Sequence, residues 1–183
     1  MSVTRCAGCV AIAAWAAEVA QWVEVGYSGA QWNEEETRPM LLGEFEHNLD
    51  DKNRVTLPAR FRQSFAKGVV VARGIDKCLA VYPPDGWTRF VDEQLSGLNP
   101  FSREARQMSR YLFAGASETE LDKQGRMSLP AGLLQHAGLE RGVVVAGVRD
   151  HLELWDPDAW RKELDDVEGS ADLVAERLAR SQS

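Results

Sequence analysis

The 183-residue sequence predicts an α+β, β-rich fold made of two tandem copies of one short unit with short flanking helices. Three observations lead there: an internal repeat, valine-rich runs of strand length, and prolines placed where helices begin. The repeat decides the architecture. Leu49-Asp50-Asp51-Lys52-Asn53-Arg54-Val55-Thr56-Leu57-Pro58-Ala59 returns as Leu121-Asp122-Lys123-Gln124-Gly125-Arg126-Met127-Ser128-Leu129-Pro130-Ala131, with six of eleven positions identical and two more near-equivalent. The likeness continues downstream, where Lys67–Ala72 matches Arg141–Ala146 and Leu79–Trp87 parallels Leu152–Trp160.

Each element has a local reason. Glu44-Phe45-Glu46-His47-Asn48-Leu49 alternates polar and apolar, the pattern of a strand with one buried face. The Asp-x-x-Asn or Asp-x-x-Gly that follows is turn chemistry: Asp50 and Asp122 can accept backbone N–H bonds, while Asn53 and Gly125 tolerate positive φ. Short strands come next at Val55-Thr56-Leu57 and Met127-Ser128-Leu129. Pro58 and Pro130 then suit the first turn of a helix, with Phe61 and Phe65, or Leu133 and Leu134, as its apolar face. Paired valine-rich strands follow at 68–73 with 78–82 and at 142–147 with 151–155, and Pro84 and Pro157 start further helices with Trp87 and Trp160 facing inwards. A unit of some forty residues buries too little surface to stand alone comfortably, so the two copies are expected to share one core with interleaved strands.

These features set the boundaries: an extension at residues 1–39, a first repeat at 40–87, a helical linker at 88–115, a second repeat at 116–165 and a helical tail at 166–183. The linker helix is expected over 99–114, with Pro100 near its start and Phe101, Ala105, Met108 and Leu112 at helical spacing. The tail from Ser170 to Arg180 also reads as a helix, with Leu173, Ala175 and Leu178, exposed enough to be a flexible or partner-packed end. The first 39 residues differ in kind, holding three of the six tryptophans and neither Asp nor Lys. A short amphipathic or partly disordered segment is expected there, with Met40 as the natural start and the preceding residues the product of an over-long reading frame.

Composition narrows the function. Hydrophobic residues at 44% and charged residues at 27% describe a globular chain rather than a disordered or fibrous one. A net charge of −7 excludes coating of nucleic acid by bulk attraction, so any DNA binding requires a local basic patch. Three cysteines, Cys6, Cys9 and Cys78, make no disulfide framework and point to a reducing compartment. Cys6-x-x-Cys9 has half-zinc or redox spacing with no second pair beside it, and His47, His136 and His151 have no metal-ligand spacing. No metal, cofactor or catalytic constellation is expected.

The pattern Met40-Leu41-Leu42-Gly43-Glu44-Phe45, followed by Leu49-Asp50-x-Lys52-x-Arg54-x-x-x-Pro58-Ala59 and by Leu121-Asp122-x-x-Gly125-Arg126-x-x-x-Pro130, resembles the bacterial MraZ proteins over residues 40 to about 165. The resemblance implies a swapped-hairpin β-barrel of the AbrB/MazE type, with the two AbrB-like repeats as an internal pseudo-dimer, assembled into a ring of eight or twelve subunits. It implies a cytoplasmic, nucleoid-associated, sequence-specific DNA-binding transcription regulator. Such a regulator binds direct repeats in double-stranded DNA upstream of its own operon, the division and cell-wall gene cluster, with no membrane and no small-molecule substrate involved. It assigns DNA contact to Lys52 and Arg54 in the first copy, and to Arg126 with Lys123 or Gln124 in the second. Asn53 departs from the family's glycine, at a modest conformational cost.

The residue types suit that chemistry. Arginine offers five donors in a planar fork that fits phosphate oxygens or the O6/N7 edge of guanine, and lysine supplies a flexible point charge. Asp50 and Asp122 are expected to fix the turns and orient the arginines, since phosphate would repel them. Arg60, Arg62 and Lys67 either extend the patch or form a solvated helix face. Two other readings compete. One is a structural or protein-interaction ring with little DNA binding; the weaker is an enzyme, for which no catalytic constellation is visible.

Overall fold

The computed structural model describes residues 40–181. The expected extension at residues 1–39, with Cys6 and Cys9, lies outside the described residues. The chain runs β1 (Leu41–Asn48), β2 (Arg54–Thr56), a 3₁₀ helix η1 (Ala59–Phe65), β3 (Val69–Arg73), β4 (Leu79–Tyr82), α1 (Pro84–Leu95), α2 (Arg103–Phe113), β5 (Ser117–Thr119), β6 (Arg126–Ser128), α3 (Ala131–Ala137), β7 (Gly142–Arg149), β8 (His151–Trp155) and α4 (Pro157–Ser181). The fold is α+β.

The strands form an antiparallel six-stranded sheet in the order β1-β7-β8-β4-β3-β5 and a two-stranded ribbon of β2 and β6. Under the repeat correspondence both arrangements are palindromic. In the first half's N-terminal strand, Glu46 and His47 face Val144 and Val143 of the second half; in the second half's, Glu118 and Thr119 face Val70 and Val69 of the first. The halves therefore exchange their leading strands in the same register. Val55 opposite Met127 and Ala80 opposite Glu153 lie on the axis relating them. The interleaving expected from the short repeat is present. The hydrogen-bonded order ends on β1 and β5, and among the described residues no strand pairing joins those ends into a closed barrel. A single Leu49–Val55 bridge ties the ribbon's first strand to the end of β1.

One core cluster joins the ribbon, the short helices and the sheet of both halves. Val55, Leu57, Met127 and Leu129 come from the ribbon and the residues after it, Phe61, Phe65, Leu133 and Leu134 from η1 and α3, and Val71, Val81, Val145 and Leu154 from the sheet. Phe45 of β1 packs edge-on against Phe61 with ring centroids 5.4 Å apart. The equivalent helices differ in kind. In η1 the N–H groups of Phe61 and Ala66 reach back three residues to Pro58 and Gln63, whereas α3 closes a regular α turn and ends on Gly138 in the left-handed conformation.

Two expectations need correction. The linker helix is shorter than 99–114 because Ser102 caps α2, its hydroxyl accepting from Ala105 N at 3.1 Å. That places Phe101 ahead of the helix, 86% exposed, while Ala105 and Leu112 are buried and Met108 is 42% exposed. The tail is helical and exposed, as the last part of α4, which runs unbroken from Pro157 because the stretch contains no proline after its first residue, and Gly169, which costs about 1 kcal/mol against alanine in a helix, does not stop it. Trp87 and Trp160 are half-buried rather than core residues. Trp87 packs among Tyr82, Phe90 and Phe113, and Trp160 lies against Trp155 with its indole N–H donating to Glu44 Oε2 at 2.9 Å.

Burial separates the two phenylalanines most clearly. Phe61→Ala is expected to lower unfolding free energy by about 3–5 kcal/mol, and Phe101→Ala to stay within about 0.5 kcal/mol, both read from denaturant midpoints at constant m-value. Equal effects would contradict this placement of the core.

Candidate nucleic-acid interface

The ribbon brings the two Asp-to-Arg turns together. Because β2 and β6 run antiparallel with Val55 opposite Met127, Arg54 lies across from Ser128 and Arg126 across from Thr56, so each turn closes over the other strand's end. Leu57 N donates to Gly125 O and Leu129 N to Asn53 O, both at 2.9 Å, which locks each turn to the strand end of the opposite repeat.

Within each turn the aspartate organises the loop. Asp50 Oδ1 accepts from the backbone N–H of Lys52 at 2.9 Å and of Arg54 at 3.0 Å, and Asp50 O accepts from Asn53 N at 2.9 Å. The second copy repeats this: Asp122 Oδ1 accepts from Gln124 N at 2.9 Å and Arg126 N at 3.0 Å, and Asp122 O from Gly125 N at 2.8 Å. The fourth turn position is left-handed in both, at φ 56° for Asn53 and 77° for Gly125. Asparagine is among the few side chains that enter this region readily, which is why the first turn keeps the same hydrogen bonds without glycine.

The other carboxylate oxygen holds the arginine. Arg54 Nε donates to Asp50 Oδ2 at 2.8 Å with Nη2 at 2.6 Å, and Arg126 Nε donates to Asp122 Oδ2 at 2.7 Å with Nη2 also at 2.7 Å. The pairs then cross: Arg54 Nη1 lies 3.7 Å from Asp122 Oδ2, and Arg126 Nη1 lies 3.8 Å from Asp50 Oδ2. The result is one four-residue cluster, formally neutral, with the arginine side chains 26% and 29% exposed. Both Nη1 groups sit beyond hydrogen-bond distance from the crossed carboxylates. The Nε/Nη2 edge of each fork is thus engaged in fixing its orientation, and the Nη1 end retains donor capacity.

The remaining expected site residues flank this cluster. Lys52 and Lys123 are exposed at the turn tips. Gln124 turns its Oε1 to Arg126 Nη2 at 3.1 Å, which makes it a support for the arginine. Sequence reading left Arg62 undecided between patch and solvated face. The structure puts it against the second turn: its Nε donates to Leu57 O at 3.0 Å, and a Cβ at position 125 would meet its Nε at 2.3 Å. The available signal was the glycine itself, present in the second turn and absent from the first. Arg60 lies elsewhere, over the rings of Phe45 and Phe61 at 5.8 and 5.6 Å. Among the described residues, no group of three or more His, Cys, Asp or Glu is placed to hold a metal ion, and no helix is long and apolar enough to cross a membrane. Burial pushes the Cys78 thiol up to about 12, far from a reactive thiolate.

The arginine side-chain hydrogen bonds hold Asp50 and Asp122 each down to about 2, and the backbone N–H bonds add to the effect. A carboxylate whose folded pKa is depressed contributes stability above its unfolded value, near 3.9, and that contribution is lost as pH falls through the folded one. Carboxyl carbon shifts of both aspartates are expected to titrate near pH 2. The paired change Asp50→Asn, Asp122→Asn should flatten the fall in stability between about pH 4 and 2. Titration of both groups near pH 4 would refute the cluster.

Comparison with known proteins supports one family. Residues 40–110 and 112–181 both match the family described as "MraZ protein, putative antitoxin-like". The chain is 43% identical over 140 residues to the transcriptional regulator MraZ of Roseiflexus castenholzii, an alignment covering 76% of this chain and 97% of that protein. It is 44% identical over 138 residues to the protein of the same name from Lachnoclostridium phytofermentans, covering 75% and 96%. With that of Thermomicrobium roseum the identity is 42% over 140 residues, covering 76% and 98%. Two matched copies, and similarity along nearly the full length of named regulators, establish that the chain belongs to the MraZ family.

Proposed function

We propose that this chain is a sequence-specific transcription regulator that binds double-stranded DNA through the paired Asp-to-Arg turns. The observation that carries this reading is the convergence of Arg54 and Arg126, from repeats 72 residues apart, in one partly exposed cluster with their Nη1 ends uncommitted. A core salt bridge would bury both charges; an incidental surface pair would not recur in two copies with the same hydrogen bonds. Each guanidinium, held by its aspartate, meets DNA in a fixed orientation, so less freedom is lost on binding than for a loose side chain. Arg54 and Arg126 read base edges or phosphate, Lys52 and Lys123 take phosphate, Gln124 supports Arg126, and Asp50, Asn53, Asp122 and Gly125 shape the turns.

Residues 40–87 and 116–165 act in this reading as two AbrB-like repeats joined by 88–115, and the β2–β6 ribbon covers the six-stranded sheet as part of a swapped-hairpin barrel. The single core shared by ribbon and sheet supports that view. The naming of relatives as transcriptional regulators supports a DNA partner in the cytoplasm and at the nucleoid. The target is taken as direct repeats upstream of the chain's own operon, the division and cell-wall gene cluster, engaged by a ring of eight or twelve subunits. One bidentate base contact discriminates by only about 1–3 kcal/mol, and linking several raises avidity by about 10² to 10⁴. Self-association is supported by α4, where Trp160, Leu164, Val167, Ala171, Val174 and Leu178 follow the four–three spacing of a helix-pairing seam. Val167, Val174 and Leu178 on that seam are 51%, 45% and 59% exposed.

A gel shift with the duplex upstream of the chain's own gene tests the DNA reading. The wild-type protein is expected to bind in a salt-sensitive manner, and the double change Arg54→Ala, Arg126→Ala to abolish binding at unchanged particle mass. Equal binding by both proteins would reject the turns as the interface; binding by neither would favour a protein-interaction scaffold. Light scattering tests assembly: Val174→Asp with Leu178→Asp should reduce the particle mass with helical content retained. An unchanged mass would take the contact away from α4.

A further inference from the structure

The two halves of the site share a backbone design but not their flanks. Beside the second turn, Arg62, Lys67 and Lys123 line one cleft of about 370 Å³, together with Phe65, Glu120 and Asp122. Arg62 is anchored at its Nε by Leu57 O and, among the described residues, forms no ion pair. Lys67 lies 3.6 Å from Asp85 with both groups exposed, a pair that salt and solvent weaken. By the repeat correspondence, the first turn has Leu134 where the second has Arg62, and Asp51 where the second has Lys123; Arg141 matches Lys67. Leu134 is buried in the core and cannot present a donor. The first turn carries its extra cation at the tip, as Lys52, where the second has Gln124 committed to Arg126.

We infer that the cleft formed by Arg62, Lys67 and Lys123 is a seat for a DNA backbone phosphate beside the second turn, without a counterpart beside the first. This interface therefore has a direction and places the protein on DNA one way round. The inference depends on the DNA-binding reading above and adds to it the residue that breaks its symmetry. The chemistry fits a phosphate: a planar guanidinium fixed at Nε keeps its terminal donors, and two flexible ammonium groups stand on the same cleft. Glu120 and Asp122, which also line the cleft, limit indiscriminate anion capture. The His47 imidazole is held below its ordinary value by burial and by the charge of Arg62, so no second cation forms beside the guanidinium near neutral pH. Gly125 completes the seat, since any side chain there would displace Arg62.

The test uses the full chain and the duplex upstream of its own gene. Binding is measured over a range of salt for wild type, Arg62→Leu and Arg62→Lys. One lost phosphate contact should lower the log–log salt slope by about one in Arg62→Leu, with affinity reduced about three- to tenfold on every sequence. Arg62→Lys should retain the wild-type slope. Direction is read by DNA cleavage from an iron chelate tethered at Gln63→Cys or at the equivalent Gln135→Cys, both exposed, with Cys6 and Cys9 changed to serine. Each label should cut on one side of every bound box, and on opposite sides from each other. In the added background Arg62→Leu, Lys123→Asp, Gln124→Lys, which gives the second turn the first one's side chains at these three positions, both labels should cut both sides. An unchanged slope in Arg62→Leu, or two-sided cutting by each label on the otherwise wild-type chain, would overturn the seat while the arginine pair still binds. Absence of wild-type binding to the duplex would overturn the DNA reading as well.

Discussion

Each half of the sheet is completed by a strand from the other half. Without β1, the Val143–Val145 stretch of β7 would present an open edge, and without β5 so would Val69–Val71 of β3. Open edges of that composition are templates for aggregation, because unpaired N–H and C=O groups sit beside apolar side chains. The exchange removes this hazard and joins the hydrophobic residues of two small units into one core, which neither unit of some forty residues could build alone. Its unequal execution is informative. β1 spans eight residues and β5 only three, so the edge next to β7 is covered much further than the edge next to β3.

The site follows from the same exchange. Pairing β2 with β6 about Val55 and Met127 requires the turns preceding them to end side by side, since the chain enters both strands from an Asp-x-x-x-Arg loop. Two positive groups brought this close would repel each other. The aspartates remove that cost by sitting between them, with each Oδ2 shared between its own arginine at 2.6–2.8 Å and the neighbouring one at 3.7–3.8 Å. Neutralisation has a price in long-range attraction to DNA. Under the DNA-binding proposal, encounter by a chain of net charge −7 is driven by the cations around the cluster, while the cluster supplies fixed geometry. The DNA-binding proposal thus divides two tasks: Lys52, Lys123 and Arg62 attract and hold the backbone, and Arg54 and Arg126 present oriented donors.

What could be read from the sequence was whatever depends on neighbours in the chain. The Asp–Asn/Gly–Arg turns were legible because their hydrogen bonds span two to four residues, and the starts of η1, α1, α3 and α4 because proline acts locally. Strand exchange was expected only in general terms. Its register is set by contacts between Val70 and Glu118, or Val144 and Glu46, and no local pattern encodes that pairing. The helical character of 170–180 was legible from its composition, and its continuity with the helix begun at Pro157 follows because nothing in 166–170 stops that helix. The misassignment of Phe101 has a local origin: helical spacing from Ala105 suggested it, and the capping hydroxyl of Ser102 excluded it. Arg62 could not be assigned because its partner, Gly125, is 63 residues away in sequence and adjacent only after the ribbon forms.

Fusion of the two units in one chain explains why the halves differ at all. In a homodimer of a single unit, any change at one turn appears at both, so Arg62 could not be present on one flank and absent from the other. A covalently linked pair escapes that constraint. It also escapes the concentration dependence of a dimer, because the second unit is always within reach of the first. The pattern of divergence follows the demands on each position. At Val55 and Met127 on the axis, and at Phe61 and Leu133 in the core, the copies differ only in apolar shape, since full burial tolerates volume-matched exchange but not charge, whereas on the sheet's part of the axis a half-buried Glu153 stands opposite Ala80. In the turns, Asp and Arg are unchanged because the crossed cluster needs all four. Beside the turns the charges diverge, with Leu134 against Arg62 and Asp51 against Lys123, where an asymmetric ligand would be felt.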